Sequence, residues 1–244
     1  MVLQKNTILI TGGSSGIGLA LAKKLIEKNN KVLICSRSNE KLEKAKTNNP
    51  AVEIFQCDIS KEKECERLTD WIKEKHPECN ILINNAAVVR IADFNKDEKI
   101  IEKANAEIQT NLLAPIILSK FLIPIIENNP NPKLINITSG LAYVPKTTYP
   151  FYNATKAALH SFTQVLRVQM QKSAIDIIEV FFPVVDTPFH KGNPPRGAIS
   201  AIKAVDEMIT GIEKGKMEIR VGIIKMLYVM LRIAPKFIFK KLNS

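Results

Sequence analysis

The chain has 244 residues, 45% of them hydrophobic and 24% charged, which is apolar material enough for one well-buried core and excludes a disordered, collagen-like or disulfide-stapled protein. A formal net charge of +11 favours polyanionic partners without choosing among nucleic acid, anionic lipid and a phosphorylated cofactor. No run reaches the roughly 20 apolar residues that span a bilayer, and Cys35, Cys57, Cys65 and Cys79 lack metal or redox spacing and read as reduced, cytosolic thiols.

Short apolar runs alternate along the chain with longer amphipathic stretches. Strands are expected at 6–10, 31–35, 52–57, 81–84, 133–138, 176–182 and 217–221. Helices are expected at 16–28, 39–46, 61–75, 98–127, 151–171 and 201–214. Strands and helices in such alternation imply right-handed crossovers and one doubly wound parallel sheet of seven strands, an α/β domain covered by helices on both faces. In sheets of this kind ligands sit beyond the carboxyl ends of the strands, so the turns after each strand carry the information.

After the first strand the chain reads Thr11-Gly12-Gly13-Ser14-Ser15-Gly16-Ile17-Gly18 and then enters an amphipathic helix. Glycines let the backbone approach a diphosphate, and the helix start aims free N–H groups at it. Gly12, Ser14, Ser15, Gly16, Ile17 and Gly18 are therefore candidate cofactor contacts; no Gly-Lys-Ser/Thr follows, which excludes a P-loop. The second strand ends in Cys35-Ser36-Arg37, where an NAD-binding fold carries an acid for the ribose 2′-hydroxyl. Arg37 beside Ser36 suits a 2′-phosphate instead and points to NADP(H) over NAD(H). Asp58, followed by Ile59, either accepts from an adenine amino group or caps the helix near Lys61. Further on, Tyr152 and Lys156 lie four apart on a predicted helix and share a face. An ammonium there, together with the positive nicotinamide of an oxidised cofactor, favours the phenolate, lowering the tyrosine pKa from about 10.

Thr11-Gly12-x3-Gly16-x-Gly18, Asn84-Asn85-Ala86, Asn111, Ser139 and Tyr152-x3-Lys156 occur in an order and at intervals that together resemble the short-chain dehydrogenase/reductase family. The match runs from about residue 6 to 187, and the 183–187 segment with the basic, apolar C-terminus is similar to the DltE-type oxidoreductases. The resemblance implies a Rossmann-type NADP-binding and catalytic domain over 1–221, reversible hydride transfer between NADP(H) and a carbonyl or alcohol, and a homodimer or homotetramer; a cytoplasmic location is expected from the polar start of the chain and the reduced cysteines. It also implies roles. Tyr152 is the general acid and base, Ser139 donates to the same substrate oxygen, Lys156 holds the nicotinamide ribose and Asn111 anchors a relay water. Asn85 and Ala86 line the cofactor cleft, while Pro183, Val185 and Thr187 flank the carboxamide. Ala87 and Val184 stand where relatives often carry glycine.

Substrate walls are expected from 140–151 and 188–199, loops whose composition suggests a partly apolar pocket. Arg90, His190 and Arg196 are candidates for meeting an anionic group on a substrate, and no metal site is expected. In the extension, 222–244, Lys225, Arg232, Lys236 and Lys240 share one face if the helix continues past Pro235. Its apolar face is expected to pack on the same domain or a sister subunit, with anionic lipid as the alternative; no nucleic-acid motif is present. Two rival readings are a cofactor-binding sensor or interaction protein with little turnover, and a peripheral membrane protein acting through this tail. The intact Asn111, Ser139, Tyr152 and Lys156 set favours an enzyme.

Overall fold

Every residue of the first strand, β1 (Thr7–Thr11), is buried, the pattern of a strand covered on both faces. The computed structural model describes residues 3–188 and 197–244. In chain order follow α1 (Gly16–Glu27), β2 (Lys31–Ser36), α2 (Asn39–Asn48), β3 (Val52–Gln56), α3 (Glu62–Lys75) and β4 (Ile81–Asn84). Next come α4 (Ile100–Ile108), α5 (Ala114–Ile126), β5 (Lys133–Ser139), α6 (Pro150–Gln169) and β6 (Asp176–Phe182). The chain closes with β7 (Val185–Asp186), β8 (Ile199–Ser200), α7 (Ala201–Glu213), β9 (Glu218–Arg220), α8 (Ile224–Ile233) and α9 (Pro235–Asn243).

Seven of these strands form one parallel sheet in the order β3-β2-β1-β4-β5-β6-β9. Alternation along each strand divides the core. Ile8, Ile10, Val32, Ile34, Ile81 and Ile83 point to the layer of α1 and α7, where Leu21, Leu25, Met208 and Ile212 meet them. Their neighbours Leu9, Leu33, Leu82 and Leu134 point the other way, onto Leu68 and Ile72 of α3 and Leu118 and Leu122 of α5. Strand order reverses between β1 and β4, so a crevice opens at their carboxyl ends, beside the glycine turn after β1 and Asn85 and Ala86 after β4.

Three features depart from expectation. The single long helix expected at 98–127 is divided by a π-helical turn, Gln109–Leu113, between α4 and α5. By length and composition the stretch Ile100–Ile126 does qualify as membrane-crossing, contrary to the sequence reading. Ala114, Leu118, Leu122 and Ile126 nonetheless spend one face of it on the protein core. The tail does not run straight through Pro235: Ala234 leaves helical geometry (φ −137°, ψ 59°), so α8 and α9 are separate and their cations do not form one helical stripe.

Both tail helices pack on their own domain. Ile224 and Ile238 are buried, Tyr228 lies under the Arg220 guanidinium at 3.8 Å, and Asn243 Oδ1 accepts from the Thr147 N–H at 2.7 Å. All four cysteines are free and buried in the α3/α5 core layer. Burial pushes the Cys65 and Cys79 thiols up to about 12, and the Cys57 thiol is raised by its hydrogen bond with Cys35 and by burial.

Candidate active site

The turn between β1 and α1 is held from beneath by β4. Thr11 Oγ1 accepts from the backbone N–H groups of Asn85 and Ala86, each at 3.0 Å, and Asn85 Nδ2 donates to the Thr11 carbonyl at 2.8 Å. Gly12 has φ +66°, a left-handed conformation that favours glycine, and a Cβ on it would stand 2.9 Å from Ala86 Cα. Gly18 is tighter still: a Cβ there would lie 2.4 Å from the Gly12 carbonyl oxygen. Ser15 is the N-cap of α1 and its side chain caps nothing, which leaves first-turn N–H groups for another acceptor. Across the crevice Thr187 packs beside Gly16, so the segment after β6 closes on the glycine turn. Val185 is buried, while Pro183 and Val184 precede it without the left-handed backbone that a glycine at 184 would permit.

At the outer end of this turn, Arg37 is exposed and forms no ion pair with any described residue. Ser36 is half-buried beside it, and Ser38 caps α2 through the Lys41 N–H. Asp58 does not cap α3, whose N-cap is Lys61; its carboxylate instead accepts from the Ser60 N–H at 3.2 Å and hydroxyl at 2.7 Å, and Ile59 is buried behind it. The capping alternative for Asp58 is thereby removed.

The central groups come from three elements. Ser139 ends β5, where its Oγ accepts from the Leu141 N–H at 3.2 Å. Tyr152, in the first turn of α6, is hydrogen-bonded to Ser139, and the Lys156 ammonium lies 5.7 Å from the centre of its ring. Asn111 sits in the π-helical turn, fully buried, with both side-chain atoms taken by Val88: Oδ1 accepts from its N–H and Nδ2 donates to its carbonyl, each at 2.8 Å. The widened turn presents this amide to the loop after β4, a frequent use of π-bulges.

The Lys156 ammonium is held within the site: its Nζ donates to the Ile137 carbonyl at 2.8 Å, and burial lowers its own pKa to about 8 against the pull of Glu179. Burial, with the Glu107 carboxylate behind it, raises the Tyr152 pKa above the ordinary tyrosine value, and the Ser139 hydrogen bond only partly opposes this.

Two contributors were not read from the sequence. Gly140 supports Ile224 and Leu227 of α8, bringing the tail against the end of β5. Glu107, one turn before Asn111, is fully buried. The spacing of Glu107 and Asn111 on one helical face was the available signal. Of the candidate substrate cations, Arg90 is exposed, while His190 and Arg196 lie outside the described residues, as does most of the wall expected at 188–199. Among the described residues no group of three His, Cys, Asp or Glu is placed to hold a metal ion.

A sequence profile described as short chain dehydrogenase matches residues 6–196. The oxidoreductase DltE of Bacillus subtilis (strain 168) is 40% identical over 224 residues, covering 90% of this chain and 89% of that one. A fatty acyl-CoA reductase of Acinetobacter baylyi is 30% identical over 241 residues, covering 93% and 79%. Among solved structures, a short chain dehydrogenase from Burkholderia cenocepacia J2315 in complex with NADP superposes with a TM-score of 0.88 at 24% identity over the whole of both chains. A short chain dehydrogenase/reductase from Burkholderia phymatum in complex with NAD gives 0.85 at 16% identity, covering 100% of this chain and 97% of that one.

Proposed function

The chain belongs to the short chain dehydrogenase family and is an oxidoreductase, and from that premise we propose that it interconverts a small, partly apolar carbonyl compound and its alcohol with NADP(H). The observation that carries this reading is the Ser139–Tyr152 hydrogen bond with Lys156 alongside, at the end of the strand next to the one bracing the glycine turn. The likeness to a fatty acyl-CoA reductase supports an apolar substrate.

The residues present fit a dinucleotide. Gly12 and Gly18 leave room for no side chain, which brings bare backbone up to a diphosphate, and the start of α1 offers its N–H groups. Arg37, exposed and free of ion pairs among the described residues, fits a 2′-phosphate. The bound cofactor supplies or accepts the hydride. Tyr152, hydrogen-bonded to Ser139, gives its proton to the carbonyl oxygen, and the Ser139 hydroxyl polarises that oxygen. Lys156, fixed at the Ile137 carbonyl, holds the ribose end of the site, and Asn111 fixes the loop after β4 that walls it.

Consumption of NADPH with a panel of aldehydes and ketones of increasing chain length tests the activity; no turnover with any of them would reject it. Arg37→Ala tests the cofactor preference: NADPH affinity should fall roughly 10- to 100-fold, about 1.5–3 kcal/mol, for one lost charge-assisted partner. NADH affinity should hardly change, and equal losses for the two in a fluorescence titration would overturn the preference for NADP.

A further inference from the structure

The outward faces of the tail helices are not those of an ordinary surface helix. α3 is the ordinary case: Leu68 and Ile72 are buried, and Glu66, Asp70 and Lys73 face water. On α8 the inward positions are Ile224, Leu227 and Tyr228, which lie against Gly140 and Tyr143. Opposite them, at helical spacings of three and four, stand Met226, Val229 and Ile233, exposed by 56%, 55% and 79%. Packing on the domain has thus covered one apolar face and left a second in water. Past the break at Ala234, α9 repeats the pattern: Ile238 is buried, while Phe237 and Phe239 are exposed beside Lys236 and Lys240.

Charge indicates what covers this surface. After Glu218 the sequence holds no acid. Arg220 pairs with Glu218 and Lys225 with Glu207, and the Arg232 guanidinium lies over the Tyr228 ring at 4.4 Å. Lys236, Lys240 and Lys241 are exposed and form no ion pair with any described residue. A second copy docked through the same patch about a two-fold axis would set these cations against one another. A negative surface that is apolar just beneath meets both halves of the pattern: methyl groups and rings enter below the headgroups, and the lysines stay at the phosphates.

We infer that the outward faces of α8 and α9 dock on an anionic lipid bilayer, with Met226, Val229, Ile233 and Phe237 entering it and Lys236 and Lys240 held at the headgroups. The same helices clasp the segment after β5: Asn243 accepts from the Thr147 N–H and donates to the Pro145 carbonyl at 3.1 Å. A docked molecule therefore keeps the wall expected at 140–151 close to the lipid.

Co-sedimentation of the full chain with vesicles tests the docking. The protein should bind vesicles of phosphatidylglycerol and phosphatidylcholine in equal parts at low salt, bind phosphatidylcholine alone far more weakly, and come off as salt rises. A net charge of +11 would by itself draw the protein to any anionic surface, so substitutions must separate the tail from the whole. Ile233→Asp, at an exposed position, should lower the affinity at least about 10-fold. Lys236→Gln with Lys240→Gln should lower it about 30-fold, whereas Lys73→Gln with Lys75→Gln, the same loss of charge at the end of α3, should change it less than about threefold. Thermal denaturation checks that each variant is folded. No binding by the wild type, equal binding by Ile233→Asp, or equal losses in the two double variants would each overturn the inference. Sedimentation velocity without lipid tests the other occupant: a wild-type oligomer that Ile233→Asp dissociates would assign the face to a second copy and overturn the inference as well. None of these measurements uses turnover, so their outcome stands apart from that of the proposed activity.

Discussion

Tyr152→Phe is expected to lower kcat about 10³-fold in both directions, the contribution of a well-placed general acid or base. The loss follows from the absence of a substitute: Ser139 is at the strand end and Lys156 is committed to the Ile137 carbonyl, so neither is placed to deliver the proton that Tyr152 gives up. Binding of NADPH should stay within about twofold, because the glycine turn and Arg37 are untouched. Stability should change by less than about 1 kcal/mol, since the Ser139 hydroxyl still accepts from Leu141 and keeps its contact with the Phe182 carbonyl. Initial rates with NADPH and the best aldehyde decide the matter; a variant with the full rate would remove Tyr152 from the chemistry.

Gly18→Ala should be nearly as damaging and by another route. The added methyl would stand 2.4 Å from the Gly12 carbonyl oxygen and 2.6 Å from Asn85 Nδ2, closer than any real contact. Backbone cannot yield as a flexible side chain does, so the turn shifts away from Asn85 and loses the brace between β1 and β4. Overpacking of this kind costs about 1–3 kcal/mol, which for a chain of this size is a fall of several degrees in Tm. NADPH affinity should drop at least about 100-fold, or about 2.7 kcal/mol, as the N–H groups lose their common focus. Calorimetric titration and thermal denaturation check both parts, and native affinity in the variant would mean that the turn does not hold the diphosphate.

The topology was legible because alternation is a local property: β1 through β6 each bury successive residues on opposite layers, and their boundaries came within a residue or two. The glycine turn was legible for a related reason, since only the absence of side chains permits its conformation. The π-helical turn at Gln109–Leu113 was not, for nothing in Gln-Thr-Asn-Leu-Leu opposes an ordinary helix; the Val88 backbone gripping Asn111 favours the wider turn. The partner of Lys156 was not legible, because helical spacing brings its ammonium near Tyr152 but does not say that the Ile137 carbonyl, on a distant strand, takes it. Glu107 was missed on the same grounds: a lone acid on a helix is ordinarily solvated, and the full burial of this one is decided by parts of the chain remote from it.

The sulfur atoms of Cys35, Cys57, Cys65 and Cys79 all lie in one layer, against α3 and α5. Alkylating reagents attack exposed thiolate; all four sulfurs are buried, burial raises the Cys65 and Cys79 thiols besides, and the Cys35 hydrogen bond and burial raise the Cys57 thiol. Iodoacetamide is then a clock for breathing of that half of the molecule. Chains sampled during slow labelling should carry either no adducts or four, if the layer opens as a unit. A ladder of one, two and three adducts in the mass spectrum would instead mark the order in which its parts come loose, and NADPH, by fastening the ends of β1 and β4, should slow whichever pattern is found.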